Sequence, residues 1–246
     1  MEPIGPDFCE AKTWELYNKG LELLHSPAFE KIRQVPAFRT EICVGSYLLR
    51  GCYFPSPIYD LLVGCNPRGH LLKRPTTKQL DYIKLEYDEA GAMLRSTDIY
   101  QGRVTWTEYL FPENEKRYGV AFTSDEGARS VYGEVRSVCE EIFENHVLTE
   151  MSYGVYNEVY YRLHGNPCFS LQHEKYAHNE VGITSCIYQH YESSIHCKNP
   201  RIGFSEKHYQ FDREGEYIVA SNLVWDYFRG TNLGQTHFEF SKKRKA

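Results

Sequence analysis

The sequence lacks the motifs that mark the commonest catalytic and metal sites. It contains no G-x-S-x-G nucleophile elbow, no H-E-x-x-H zinc motif and no glycine-rich phosphate loop. No two of its eight cysteines are spaced as C-x-x-C. We therefore expect no metal centre built on C-x-x-C pairs. In a reducing compartment, most of these cysteines would serve as small buried hydrophobic residues.

Long apolar runs and excess positive charge are also missing. No apolar run reaches about 18 residues, the length that predicts a membrane-spanning helix. The formal net charge is -5, so no overall basic field would attract nucleic acid. The first 15 residues carry charge and proline in place of a long apolar core, which predicts neither a signal peptide nor a transit sequence. We expect a soluble, cytoplasmic protein with no cofactor and no nucleic-acid or membrane partner.

Aromatic residues are abundant, at 15% of the chain with 20 Tyr and 13 Phe, and this favours β-structure. From Leu80 to Asp125, apolar and polar residues alternate between turn signals, which predicts an antiparallel meander. The clearest turn runs from Tyr87 to Gly91, where Asp88 can accept a backbone hydrogen bond and the glycine tolerates a positive φ. Phe111–Glu115 and Phe211–Gly215 repeat this pattern.

Helices are predicted at two places. Near the N-terminus, apolar residues at intervals of three and four predict an amphipathic helix from Phe8 to Leu24. Ser26-Pro27 then reads as an N-cap before a first-turn proline, opening a short helix that Val35-Pro36 closes. A central helix is predicted from Ala128 to His146, on an apolar stripe that consists of Val131, Val135, Val138, Cys139, Ile142 and Phe143.

These elements predict an α+β fold, a mostly antiparallel curved β-sheet with N-terminal helices and one central amphipathic helix packed on it. We expect an N-terminal helical region over residues 1–79 and a β-rich region over residues 80–246, with the central helix at 128–146, together forming one compact unit. The strand order and the oligomeric state do not follow from the sequence.

Two hairpin strings carry a resemblance to known repeats. LEYDEAGAMLRST and YQFDREGEYIVAS resemble the tyrosine-aspartate (YD) repeats of bacterial Rhs-type shell proteins and the aromatic hairpins of MORN-type repeats. By analogy of fold, a short chain with such hairpins also resembles the immunity proteins of polymorphic toxin systems. This resemblance implies a role in binding a toxin, and it assigns no function to any numbered residue.

The candidate binding surface is acidic. Residues 126–158 contain seven Glu and two Arg, with no Lys or Asp, for a net charge of -5. On a helix, Glu140, Glu141 and Glu144 would form an acidic patch facing a basic protein partner. Trp106 and Glu108 share one face of a predicted strand and would add an aromatic anchor. The sequence thus predicts a non-enzymatic protein-binding module, such as an immunity protein that inhibits a basic toxin domain by occlusion.

The alternative is an enzyme, a hydrolase or transferase with its site in the mouth of the curved sheet. It would use Glu108, whose carboxyl lies beside Trp106, or the histidines of the second half as general acid or base. Six histidines and three cysteines fall between residues 164 and 208, but their spacing forms no local chelate, so we predict no metal site. A structural protein related to repeat-built shells is a third reading, disfavoured by the missing period.

Overall fold

The fold is a large antiparallel sheet accompanied by two N-terminal helices. The computed structural model describes residues 6–46, 48–59, 68–73, 80–123, 135–156, 169–180, 182–194, 201–211, 217–226 and 231–241. The helices are α1 (Pro6–Leu24) and α2 (Pro27–Gln34), and a 3-10 turn covers Gly51–Tyr53. The strands are β1 (Arg39–Ser46), β2 (Arg68–Leu71), β3 (Tyr82–Tyr87), β4 (Met93–Tyr100), β5 (Arg103–Glu113), β6 (Lys116–Thr123), β7 (Val135–Glu144), β8 (Val147–Val155), β9 (Phe169–Asn179), β10 (Gly182–Ser194), β11 (Arg201–Phe211), β12 (Tyr217–Asp226) and β13 (Thr231–Ser241).

Both predicted N-terminal helices are confirmed. Ser26 caps α2, since its side-chain oxygen accepts a hydrogen bond from the Phe29 amide at 3.2 Å, and Pro27 occupies the first turn. Val35 ends this helix in an extended conformation, as expected for the residue before a proline. The described part of region 1–79 also contributes β1 and β2 to the sheet.

The sheet is an antiparallel meander in which sequence neighbours pair from β3 to β13, while β1 lies between β3 and β2. The predicted meander at Leu80–Asp125 is confirmed as β3 to β6. In its first turn, Asp88 accepts a hydrogen bond from the Ala92 amide at 2.8 Å, and Gly91 has a φ of +83°. In the second turn Asn114 is left-handed, with a φ of +52°, and β5 continues to Glu113 before turning. The third turn copy lies outside the described residues beyond Phe211.

The predicted central helix is wrong. Val135–Glu144 is strand β7, and it turns back into β8 through Asn145 and His146, both with positive φ. Residues 128–134 lie outside the described part. Every residue from Ser137 to Glu141 in β7 is buried, so both faces of this strand are covered. A strand buried on both faces loses its alternation of polar and apolar residues, and its apolar positions can then imitate a helical stripe. The coarser prediction of an α+β fold with a mostly antiparallel sheet is confirmed.

Contacts divide the chain into two compact units. Unit 1 comprises residues 1–17 and 139–246, and unit 2 comprises residues 18–138. In unit 2, a core cluster of Cys43, Ile83, Leu85 and Tyr87 joins β1 to β3. The Phe29 ring of α2 packs on Tyr109 and Phe122, with ring centroids 5.2 and 5.0 Å away.

Candidate functional site

The five residues predicted to bind a partner lie mostly inside the protein. Glu140 and Glu141 on β7 are each 1% exposed, and Glu108 on β5 is 2% exposed. The expectation that Glu140 and Glu141 lie on an exposed helical face is therefore wrong. Glu144 is exposed at the end of β7, and Trp106 is half-buried on β5.

Glu140 is buried because helix α1 supplies a cation to it. The Lys12 Nζ lies 2.5 Å from Glu140 Oε2 and 2.8 Å from Glu15 Oε1, all within unit 1. Burial alone would lower the pKa of Lys12, but hydrogen bonds to Glu140 and Glu15 outweigh burial and raise it. Lys12 therefore stays charged, and its ammonium points into the fold instead of into solvent.

Glu108 is held by a buried arginine within unit 2. Arg50 donates from Nε to Glu108 Oε2 at 2.9 Å and from Nη2 to Glu108 Oε1 at 2.7 Å. The Arg50 amide donates to Ser96 Oγ at 2.8 Å, which fixes the backbone below the guanidinium. Gly119 makes room for the pair, since a Cβ there would lie 2.1 Å from both Arg50 Nη2 and Glu108 Oε1. Both carboxylate oxygens of Glu108 are occupied by this fork, which argues against a general acid or base role.

Trp106 is also fixed by polar contacts within unit 2. Its Nε1 donates to Asp98 Oδ2 at 2.8 Å, and the Arg136 guanidinium lies 4.3 Å from the ring centroid. The ring is thus held by a hydrogen bond at its edge and a cation-π contact over its face, instead of standing free as an anchor.

Unit 1 contains a set of buried polar residues that sequence reasoning missed. Ser152, His173, Gln189 and Glu206 lie directly opposite one another on β8, β9, β10 and β11, and we call them the buried polar row. Ser152 Oγ and His173 Nδ1 are 2.9 Å apart, and Gln189 Nε2 donates to Glu206 Oε2 at 2.7 Å. All four side chains are buried.

Two residues of helix α1, Phe8 and Cys9, contact the buried polar row. The Phe8 ring meets the His173 ring edge-on at 5.1 Å, and the Cys9 thiol reaches Gln189 Oε1 at 4.0 Å. Burial and the charge of Glu206 raise the pKa of Cys9 to about 12, so this thiol is not a nucleophile at neutral pH. The sequence carries no signal for the row, because its members are joined by strand register and not by spacing along the chain.

Ser152 and His173 are within hydrogen-bond distance of each other, as a catalytic nucleophile and its general base would be. Glu150 Oε1 lies 4.0 Å from His173 Nε2, on the other side of the imidazole. Both side chains are 1% exposed, so a reacting atom has no approach to Ser152 Oγ in this conformation. Burial lowers the pKa of His173 to about 4, and the charges of Lys12 and Lys175 add to this effect. The imidazole is therefore neutral at pH 7, as a buried hydrogen-bonding group would be.

The remaining histidines form no metal cluster within the described residues. His178 Nε2 contacts the Leu148 carbonyl oxygen at 2.8 Å, and His208 Nε2 lies 2.5 Å from Glu206 Oε1. His164, Cys168, His196 and Cys197 lie outside the described part of the chain.

No protein-family model, curated protein or solved structure matches this chain. Within the described residues, neither helix combines the length and apolar character needed to cross a membrane.

The Arg50–Glu108 pair yields a stability prediction. Replacing Glu108 by Ala deprives the buried Arg50 guanidinium of this carboxylate, and we expect the free energy of unfolding to fall by about 3–5 kcal/mol. Glu115→Ala, in an exposed turn, is the matched control and should change it by less than about 0.5 kcal/mol. Urea unfolding measures both variants, and equal small losses would contradict the burial of the pair.

His173 yields a prediction about acid stability. Its pKa is about 6.5 when unfolded and about 4 when folded, so between these values the unfolded state binds more protons. Stability from neutral burial is therefore complete above about pH 6.5 and is lost as the pH falls toward 4. We expect the wild type to lose about 3 kcal/mol more than His173→Gln between about pH 7 and 4. Urea unfolding across this range checks it, and identical pH slopes for the two proteins would contradict it.

Proposed function

We propose that this protein is a non-enzymatic protein-binding module that acts as an immunity protein, covering a basic surface of a toxin domain. The observation that supports this proposal is the outer face of α1 in unit 1. Asp7, Glu10 and Glu15 are exposed there around Trp14, whose side chain is 38% exposed. We call these four residues the acidic face.

The spacing of α1 brings these residues to one side of the helix. Successive residues are turned by 100°, so positions 7, 10, 14 and 15 fall within less than half of the circumference. Cys9, Lys12, Thr13 and Leu16 occupy the opposite side and are buried. Lys12 is the one cation among residues 6–17, and its buried ammonium is shared between Glu140 and Glu15, so the acidic face carries three exposed carboxylates beside a single buried cation.

An acidic face around an aromatic residue has the composition of a binding surface for a basic protein. Trp14 packs edge-on against Tyr17, with ring centroids 6.2 Å apart, which gives the indole a fixed orientation. Tryptophan is enriched among residues that carry most of the energy of an interface. Surrounding carboxylates speed association with a basic partner and exclude acidic ones. In this proposal the acidic surface lies on α1, and Glu144 is the one of the three predicted acidic residues that stays exposed.

The test compares two variants of equal charge. Asp7→Asn, Glu10→Gln and Glu15→Gln are combined in one protein, and Glu89→Gln, Glu115→Gln and Glu180→Gln in the other, all at exposed positions. A tagged wild-type chain first recovers its partner from the native host at low salt. The partner is then purified, and its Kd for each variant is measured by calorimetry.

We expect the first variant to bind about tenfold or more weakly and the second to bind like the wild type, with the difference shrinking at high salt. Trp14→Ala should weaken binding by about 2 kcal/mol or more. Equal affinity of the two triple variants, or a partner with an acidic surface, would reject the proposal.

A second candidate is the hydrolase or transferase with its site in the mouth of a curved sheet. The 2.9 Å contact between Ser152 and His173 favours it, and the burial of both side chains weighs against it. A fluorophosphonate probe separates the two candidates, because it labels a serine that is both activated and accessible. We expect no labelling of Ser152 in the folded protein, and labelling that His173→Gln abolishes would favour the enzyme.

A further inference from the structure

Two thiols lie side by side in unit 2. Cys43 belongs to β1 and Cys52 to the 3-10 turn, and Cys52 packs against the core cluster that contains Cys43. Both are free thiols; Cys43 Sγ donates to the Arg68 carbonyl oxygen at 3.3 Å, and Cys43 is near enough to Cys52 to raise the pKa of its thiol. Cys43 is fully buried whereas Cys52 is half-buried, so reagents in solution reach the pair through Cys52.

The local backbone is built to hold the two thiols together. After β1 the chain reverses through Arg50 and Gly51, with φ values of 67° and 54°. A Cβ at Gly51 would lie 2.5 Å from Cys43 Sγ and 2.9 Å from Cys43 Cβ, so glycine is what lets the turn approach β1 this closely. The buried ion pair of Arg50 with Glu108 then fixes the turn in place.

We propose that Cys43 and Cys52 form a site of reversible oxidation, where a low-molecular-weight disulfide such as oxidised glutathione converts the two thiols into an intramolecular disulfide. This site is independent of the acidic face and of the proposed binding function. Its substrate class is a small disulfide, since a half-buried entry thiol excludes a bulky protein oxidant.

The reaction proceeds in two exchanges that balance. Cys52 loses its proton to solvent, and its thiolate attacks one sulfur of oxidised glutathione. The glutathione disulfide bond breaks, one glutathione thiolate leaves, and Cys52 becomes a mixed disulfide. The Cys43 thiolate then attacks Cys52 Sγ, which releases the second glutathione thiolate. Two protein thiols are oxidised, one glutathione disulfide is reduced, and the two protons lost by the cysteines are taken up by the two leaving thiolates.

The environment of Cys52 sets the speed of the first exchange. Burial and the neighbouring Cys43 raise the pKa of Cys52 to about 11. The attacking species is the thiolate, so the rate should be slow near neutral pH and rise about tenfold per pH unit below that pKa. This behaviour differs from that of acidic peroxide-sensing cysteines, whose thiolates are present at neutral pH.

Tryptic mapping tests the proposal directly. The folded chain is incubated with oxidised glutathione at about pH 7 and about pH 9, remaining thiols are alkylated, and trypsin cleaves after Arg39, Arg50 and Arg68. The peptide of residues 40–50 then carries Cys43, and the peptide of residues 51–68 carries Cys52 and Cys65. Cys65→Ser is the matched control for Cys52→Ser, and circular dichroism verifies that each variant is folded.

The expected product is a disulfide-linked pair of these two peptides, in the wild type and in Cys65→Ser but not in Cys52→Ser. It should form faster at the higher pH and vanish on reduction. In Cys43→Ser the reaction should stop at the mixed disulfide of Cys52 with glutathione. No linked pair in the wild type at either pH, or a linked pair that persists in Cys52→Ser, would overturn the proposal.

Discussion

Burying an ionised side chain is so unfavourable that the fold must supply its partner, and this constraint shapes both units. In unit 2, Arg50 and Glu108 meet as a fork over Gly119, where no side chain would fit. In unit 1, Lys12 and Glu140 meet beneath helix α1. Each pair ties a segment outside the meander to one strand of the sheet. Each pair also dictates register, because a shift by one residue would leave a charge buried without its partner.

The inward ion pair of α1 explains the character of the outward side. An amphipathic helix usually exposes both lysines and glutamates, which neutralise each other on its solvent face. Here the amine of Lys12 is shared between Glu140 and Glu15, and in unit 2 the amine of Lys19 is shared between Glu113 at 2.9 Å and Glu22 at 3.1 Å. Asp7, Glu10 and Glu15 are all exposed on this side of α1, and the one cation among residues 6–17 is buried. The contact that stabilises the packing of α1 thus draws its cation inward, beneath the surface that we propose for binding.

The features of the fold that were predicted correctly depend on residues that are close together in the sequence. The cap at Ser26, the turn at Asp88 and the alternation in β3 to β6 all follow from neighbours in sequence. Strand β7 was misread because it is buried on both faces, and its glutamates suggested exposure although Lys12 pairs with one of them. The buried polar row could not be foreseen either, since its members lie on four strands. The sequence thus showed which segment is rich in glutamates, but it did not show that Glu140 and Glu141 are buried.

Most strands pair with the strand that follows them in the chain. Helix α1, in contrast, contacts residues that lie far from it in the sequence. Tyr156 donates to the Thr13 carbonyl oxygen across 143 residues, and the contact of Cys9 with Gln189 spans 180 residues. During synthesis the N-terminal segment leaves the ribosome first, yet these contacts can form only after most of the chain has been made. The apolar side of α1 therefore stays uncovered until the segments that carry Tyr156 and Gln189 have folded, so the packing of α1 is a late step in folding.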